Sequence, residues 1–468
     1  MMTPVVQTET AVLAHNFQGE LIYLGDAAYD EARAIWNGMI DRRPALIARC
    51  ATVADVQTAV KFARETGWPL SVRGGGHNVA GHAVNDNGIV IDLSLMNSVA
   101  VDPDGHLAYV GGGATIADVD RATQAFGLAA PMGVVSETGV AGLTLGGGFG
   151  HLRNKYGLSA DNLVAANVVT ADGHIVHANE QENSDLLWGL RGGGGNFGIV
   201  TQFVYKLYPL GPEIYFTGVF HHGDHAEAGL KLYREFNAIA PDEVSTLAFL
   251  GIVPDGAEPF PPEAHGERFV GFVALYAGDP AEGEAIMRPL RKLTAEPLAD
   301  FSGVMPYVDA QQFFDEDYPS GELRYYWKSL NLLSLNDEAI ARIVEHVYRQ
   351  PSQHSTTDLW HIGGAVKRFN SDHGAFYGRH AAYLLNPEAN WEDAADDEAN
   401  IAWAQTLIDA MAEFSDGSRY LNFAGFQEEG DGMMTAAFGP QYARLAQLKQ
   451  KYDPTNLFNR NQNIKPQS

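Results

Sequence analysis

Cysteine is all but missing from this chain: Cys50 is the single one in 468 residues. One thiol cannot close an internal disulfide or build a multi-cysteine metal site, and such usage fits a reducing cytoplasm. Basic residues are scarce too, 31 Lys and Arg against 58 Asp and Glu, for a formal net charge of −27. That surface repels phosphate backbones, and no local Lys/Arg cluster reverses it, so neither nucleic acid nor anionic membrane is an expected partner. The acidity itself reads as solubility. Long apolar runs are absent: a polar residue interrupts each one after a handful of positions, too soon for a bilayer span. Met1 to Asn16 show neither a basic n-region nor an apolar h-region, so no signal peptide is read there. The expected location is the cytoplasm.

What is present is globular composition, 46% hydrophobic, in a chain long enough for two or more domains. Glycine is abundant, at 50 residues, and clusters at 74–76, 111–113, 146–150 and 192–198. Short β-type runs separate the clusters: Ala45–Arg49, Leu70–Arg73, Ile89–Leu93, Ala108–Val110 and Val164–Val169. Helices are predicted over Thr52–Thr66, where Val53, Val56, Val60, Phe62 and Ala63 recur at helical spacing, and over Ile116–Phe126. After Pro212 the texture changes. Helical patterns lie at His225–Ala238, Pro280–Leu293, Asp337–Tyr348 and Asp396–Phe414. Strand patterns lie at Leu247–Val253, Phe269–Tyr276, Thr356–Val366 and Ala381–Leu385. The predicted fold is α+β: residues 1–211 as one domain, 212–418 as an antiparallel sheet with helices on one face, and 419–468 as a terminal segment with a helix at Tyr442–Tyr452.

The glycine clusters need a physical reason, because glycine inside regular elements costs up to about 1 kcal/mol each. In Ser71-Val72-Arg73-Gly74-Gly75-Gly76-His77-Asn78-Val79-Ala80-Gly81, three glycines free the backbone so that N–H groups can converge on an anion such as a pyrophosphate. No helix opens directly after it, so it is not the dinucleotide fingerprint of a βαβ unit. Gly139–Gly150 is too glycine-dense for a packed strand, and Arg191–Gly198 is a third such stretch. Close approach of an extended polyphosphate ligand explains all three together.

These stretches, with Tyr156-Gly157-Leu158, Tyr420-Leu421-Asn422-Phe423, Lys451–Phe458 and Asn461-Gln462-Asn463-Ile464, carry a resemblance. In this order along nearly the whole chain, they resemble the berberine bridge enzyme-like oxidases, bacterial members with one flavin linkage, within the vanillyl-alcohol oxidase superfamily. The resemblance implies a PCMH-type FAD-binding domain followed by a substrate domain of antiparallel sheet covered by helices. It implies FAD bonded through a ring nitrogen of His77, a small-molecule substrate, and O₂ as electron acceptor. The cofactor-binding positions it implies are Arg73, Gly74, Gly75, Gly76, Asn78, Val79, Gly81, His82, Gly133, Val135, Ser136, Thr138, Gly139, Gly142, Gly146, Gly147, Gly198, Val200, Asn422, Asn461 and Asn463. Some relatives add a second bond from a cysteine; the matching position here is Val135, so one bond is expected. Thr138 matches a position that controls oxygen access, and its small size favours an oxidase.

The chain departs from the family at Phe423, where many relatives place a tyrosine that helps to take the substrate proton. A phenyl ring cannot do so. Tyr420 and Asn422 of that motif remain. A replacement base is expected on the second sheet: Asp358, since aspartate is rare in strands and burial raises its pKa into the range of a general base, or His361 on the opposite strand face. Tyr326, Trp360 and Tyr383 are candidate substrate-lining residues. His221-His222-Gly223-Asp224-His225 reads as a turn with Asp224 as N-cap, not as a metal site. A flavin monooxygenase, a dehydrogenase and a binder without turnover are the competing readings.

Overall fold

A computed structural model of the chain describes residues 10, 13–15, 17–257, 260–426 and 430–467. The reading of Met1 to Asn16 falls largely outside them. The chain first builds a four-stranded sheet in the order Glu20–Tyr23, Leu46–Arg49, Ile89–Asp92, Leu70–Arg73. The last three strands are parallel, which demands a crossover. The predicted helix supplies it as Val53–Thr66. Thr52 and Asp55 form a reciprocal capping box at its start, and Gly67 closes it at φ 72°. Val56, Ala59, Val60 and Ala63 are fully buried in the core that this helix shares with Leu46, Ala48, Ile89 and Ile91.

A second, antiparallel sheet runs Val99–Asp102, Leu107–Gly111, Ile199–Lys206, Leu163–Val169, Ile175–Asn179. Helices Ile116–Gln124, Val140–Leu145 and Ser184–Leu190 bury their apolar residues with it. The terminal helix Tyr442–Tyr452 joins the same core: Leu445, Leu448 and Tyr452 belong with Leu186, Leu187 and Phe203. The middle of the chain forms a nine-stranded antiparallel sheet, ordered Ala299–Asp300, Glu213–His222, Arg268–Tyr276, Val244–Ile252, Thr356–His361, Tyr383–Trp391, Arg324–Trp327, with Gly303–Pro306 and Leu330–Leu332 paired at its margins.

Side-chain alternation gives this sheet two faces. Val219, Ala248, Leu250, Val270, Phe272, Leu359 and Leu385 meet helices Ala226–Ile239, Pro280–Arg291, Asp337–Val347 and Asp397–Met411. Phe216, Leu247, Phe249, Trp360 and Leu384 face the other way, onto Phe149, Leu152 and Leu158. The α+β architecture is therefore the predicted one. Among the described residues no helix is long and apolar enough to cross a membrane.

Several local expectations are corrected. The strand expected to reach Val366 stops at His361, because Gly364 turns to φ 51° and opens a short helix, Gly364–Arg368. The strand expected over Ala381–Leu385 begins at Tyr383 and continues through Asn386-Pro387 to Trp391. Gly139–Gly150, read as too glycine-dense for a packed strand, indeed forms none and holds a short helix, Val140–Leu145. Asp224 is not a cap: the His222 ring accepts from the Asp224 N–H instead.

Candidate functional site

The glycine-rich stretches 74–76, 139–150 and 192–198 converge on one cavity, whereas Gly111–Gly113 packs against Leu93, Met96 and Val200. Two of them cross in direct backbone contact. A Cβ on Gly75 would lie 2.4 Å from the Gly139 nitrogen, and one on Gly139 would lie 2.2 Å from the Gly75 nitrogen. Gly142 and Gly195 differ: both line the cavity, and a Cβ on either meets no protein atom within 4 Å. The first pair is bare so that the chain can cross itself, and the second leaves room for a ligand. This contrast predicts that Gly139→Ala lowers apoprotein stability by about 1–3 kcal/mol through overpacking. Gly195→Ala is expected to leave the apoprotein melting temperature unchanged and to weaken FAD uptake; thermal unfolding and flavin titration check both.

His77 opens onto this cavity. Burial lowers its pKa to about 4, so the ring is neutral at neutral pH. Its Nδ1 is 3.5 Å from Thr138 Oγ1, and its Nε2 is buried with no hydrogen-bond partner. The ring stacks on Trp36 at 5.0 Å, and Trp36 stacks on Tyr325 at 3.7 Å. Asn461 donates to the Gly195 carbonyl at 3.0 Å, leaving its Oδ1 buried and unpartnered in the same cavity. An orphaned imidazole nitrogen, an orphaned amide oxygen and bare backbone fit a bound dinucleotide, because a polar ligand in this space would give each a partner.

Of the predicted cofactor positions, Gly74, Gly75, Gly76, Asn78, Val79, His82, Gly133, Val135, Thr138, Gly139, Gly142, Gly146, Gly198, Val200, Asn422 and Asn461 line the cavity. The others stand behind it. Arg73 donates to the Ala32 carbonyl at 2.6 Å. Ser136 is held by the Asp315 carboxylate through its N–H and its hydroxyl. Gly81 turns at φ 74° under Ile40, Gly147 turns at φ 129° against Phe376, and the Asn463 Oδ1 is buried without a partner.

The opposite wall is the nine-stranded sheet, and strand parity decides which candidates reach it. Asp358 and Trp360 line the cavity, joined by Leu247, Phe314, Trp327 and Phe423. His361 belongs to the other face, its ring 5.5 Å from Tyr383 and its Nδ1 3.3 Å from Asn154 Nδ2. Burial, aided by the charge of Arg153, lowers its pKa to about 3. Tyr383 and Tyr326 share that helix-covered face; the Tyr326 hydroxyl accepts from Gln405 at 3.2 Å. His361, Tyr326 and Tyr383 are thus withdrawn as cavity residues, each being one residue out of phase with the lining ones. Tyr420 lines the cavity as a strut: its hydroxyl accepts from the Gly148 N–H at 3.0 Å and from Asn422 Nδ2 at 2.8 Å, and burial pushes its pKa up to about 12. Sequence reasoning missed Trp36, Tyr318, Trp327 and Glu388, all of which line the cavity.

Comparison with known proteins bears on this site. Residues 44–179 match the family described as FAD binding domain, and residues 419–465 the family described as berberine and berberine like. The (R)-6-hydroxynicotine oxidase of Paenarthrobacter nicotinovorans is 33% identical over 471 residues, covering 97% of this chain and 98% of that protein. An FAD-linked oxidoreductase of Dictyostelium discoideum is 31% identical over 92% of this chain and 91% of its own length. Among solved structures, 6-hydroxy-D-nicotine oxidase from Arthrobacter nicotinovorans matches with a TM-score of 0.86 at 30% identity, covering 97% of this chain and 99% of that one. A berberine bridge enzyme variant described as a reticuline dehydrogenase matches at 0.87 with 19% identity over 98% of this chain and 99% of its own, a likeness of fold alone.

Proposed function

The chain belongs to the berberine bridge enzyme-like family of FAD-linked oxidoreductases, and from that premise we propose that it holds FAD by a single covalent bond from His77, oxidises a small aromatic or otherwise apolar molecule, and passes the electrons to O₂ to give H₂O₂. Bound there, FAD supplies a two-electron acceptor. The chain's own residues do the rest. The crossing glycine loops would hold the pyrophosphate with backbone N–H groups. The neutral imidazole of His77 is the nucleophile for the tether. Trp327, Trp360, Phe314 and Phe423 give the substrate an aromatic bed. Asp358 receives the proton that the substrate loses as it is oxidised.

The observation that carries this reading is Asp358, 4% exposed, on the same strand face as Trp360 and lining one cavity with His77. It answers the loss of the tyrosine at Phe423. Thr138, beside His77, leaves space for oxygen. The divisions near residues 211 and 418 belong to the same reading: the first segment holds the cofactor, the second supplies the wall, and the third returns Asn422 and Asn461 to the cavity. One relative named above is a 6-hydroxynicotine oxidase, another solved structure is described as a reticuline dehydrogenase, and a chitooligosaccharide oxidase shares the fold, so aromatic amines, alkaloids and sugars define the first substrate screen. For any compound consumed in air, one H₂O₂ per molecule oxidised is the expected yield in a peroxidase-coupled assay. Consumption without peroxide would replace the oxidase by a dehydrogenase or monooxygenase.

A further inference from the structure

A second carboxyl group shares the substrate wall. The pairing of Thr356–His361 with Tyr383–Trp391 puts Glu388 opposite Thr356 and Asp358 opposite Asn386, so the two acids are diagonal neighbours on the cavity face. Glu388 is 2% exposed and Asp358 4%. Each has one oxygen engaged and one free. The Tyr318 hydroxyl donates to Glu388 Oε2 at 2.6 Å, and the Thr356 hydroxyl donates to Asp358 Oδ1 at 3.1 Å. Among the described residues no hydrogen bond reaches Glu388 Oε1 or Asp358 Oδ2, and none joins the two groups. Among the described residues no Lys or Arg is ion-paired with either. The guanidinium over Trp360, that of Arg153, gives its donors to the carbonyls of Gly150, Thr246 and His361. The other ionisable groups facing the pair are Tyr318, Tyr325 and Asp317, which bring no positive charge.

Resting on Asp358 as the proton acceptor, we propose that Glu388, gripped by Tyr318, keeps its proton while Asp358 gives up its own, so that the wall offers the substrate one acceptor and one hydrogen-bond donor side by side. Two uncompensated carboxylates this close and this dry repel each other, so one proton stays on the pair. Burial foremost, and the neighbouring acidic groups with it, raise both Glu388 and Asp358 above the usual carboxylate range. Asp358 accepts a proton only when ionised, so in the working state the one proton of the pair rests on Glu388. In turnover, an O–H or N–H of the substrate loses its proton to Asp358 Oδ2. Bound FAD would supply the acceptor for the C–H hydrogen and its electron pair. The neutral Glu388 donates to an adjacent oxygen or nitrogen of the substrate and positions it. The substrate class is thus a molecule with a proton-bearing heteroatom and a neighbouring acceptor, not a fixed cation.

Infrared titration of the FAD-loaded protein tests this without a substrate. Above the pH at which Asp358 has ionised, the wild type is expected to retain a protonated-carboxyl band that Glu388→Gln lacks, a difference of one carboxyl group. Tyr318→Phe, which removes a donor that favours the ionised form, should keep the band, shift its frequency and move its loss to higher pH. A wild-type spectrum with no such band, or one that Glu388→Gln leaves unchanged, overturns the pairing. Asp358→Asn addresses the base itself through loss of substrate-driven flavin bleaching, so either claim can fail while the other stands.

Discussion

Asp358→Asn is expected to slow reduction of the bound flavin by about 10²–10⁴-fold, the usual worth of a positioned general base, while the protein stays folded and yellow. Asn has nearly the shape of Asp and can still accept from the Thr356 hydroxyl, so the packing around Trp360 is kept. What it loses is the capacity to take a proton. Phe423 cannot substitute, and the Tyr420 phenol, spent on Gly148 and Asn422, is held above the ordinary tyrosine range. The pH dependence carries the sign of a raised carboxyl. Burial foremost, and the charge of Asp317 after it, push Asp358 up to about 7 against the pull of the Thr356 hydrogen bond. The base works only when ionised, so wild-type reduction should fall as the pH drops through about 7, and the residual rate of the Asn variant should lack that limb. Anaerobic stopped-flow bleaching reads both. His361→Asn, on the far face of the same strand, should leave the rate within a few-fold; a loss there equal to that at Asp358 would reverse the assignment of faces.

The cofactor half of this site was legible in the sequence because its requirement is local. Gly74-Gly75-Gly76-His77 and Gly139 announce bare backbone beside one nucleophilic ring, and no distant residue is needed to see it. The substrate half was legible only to a twofold ambiguity. Alternation says that Asp358 and Trp360 share a face and that His361 does not, but which face meets the cavity depends on helices elsewhere in the chain. The same ambiguity misplaced Tyr326 and Tyr383, each adjacent to the correct phase. Glu388 was hidden for another reason. Asn386-Pro387 reads as a turn, since proline donates nothing to a ladder. Here the strand continues past it: the Pro387 carbonyl accepts from the Lys328 N–H and the Asn386 amide donates to the Lys328 carbonyl. Trp36 and Tyr318 lie in irregular segments 282 residues apart, joined by a hydrogen bond from the Trp36 indole to the Tyr318 carbonyl, and no periodicity marks either.

His77→Ala is expected to convert a cofactor that survives acid precipitation into one that is lost to the supernatant. The wild-type pellet should stay yellow and the variant pellet should be white, with close to one FAD recovered per chain. The tether calls for a neutral ring, and burial, which lowers the His77 pKa to about 4, keeps it neutral throughout the physiological range. It calls for a nitrogen free to react, and one ring nitrogen has no partner while the other has only a 3.5 Å contact with Thr138. It also predicts that one substitution releases everything, because no second attachment is available. Val135, the position that the family resemblance gives to a second bond from a cysteine, carries no thiol, and Cys50 lies buried in the core of the four-stranded sheet with its thiol pKa raised by burial. The glycine loops still grip the pyrophosphate in the variant, so FAD should remain through gel filtration at neutral pH and leave only when acid unfolds the chain. That split separates the tether from the cradle. Flavin retained in the acid pellet of His77→Ala would place the bond on another residue, and flavin absent even at neutral pH would mean that the cradle cannot hold the cofactor alone.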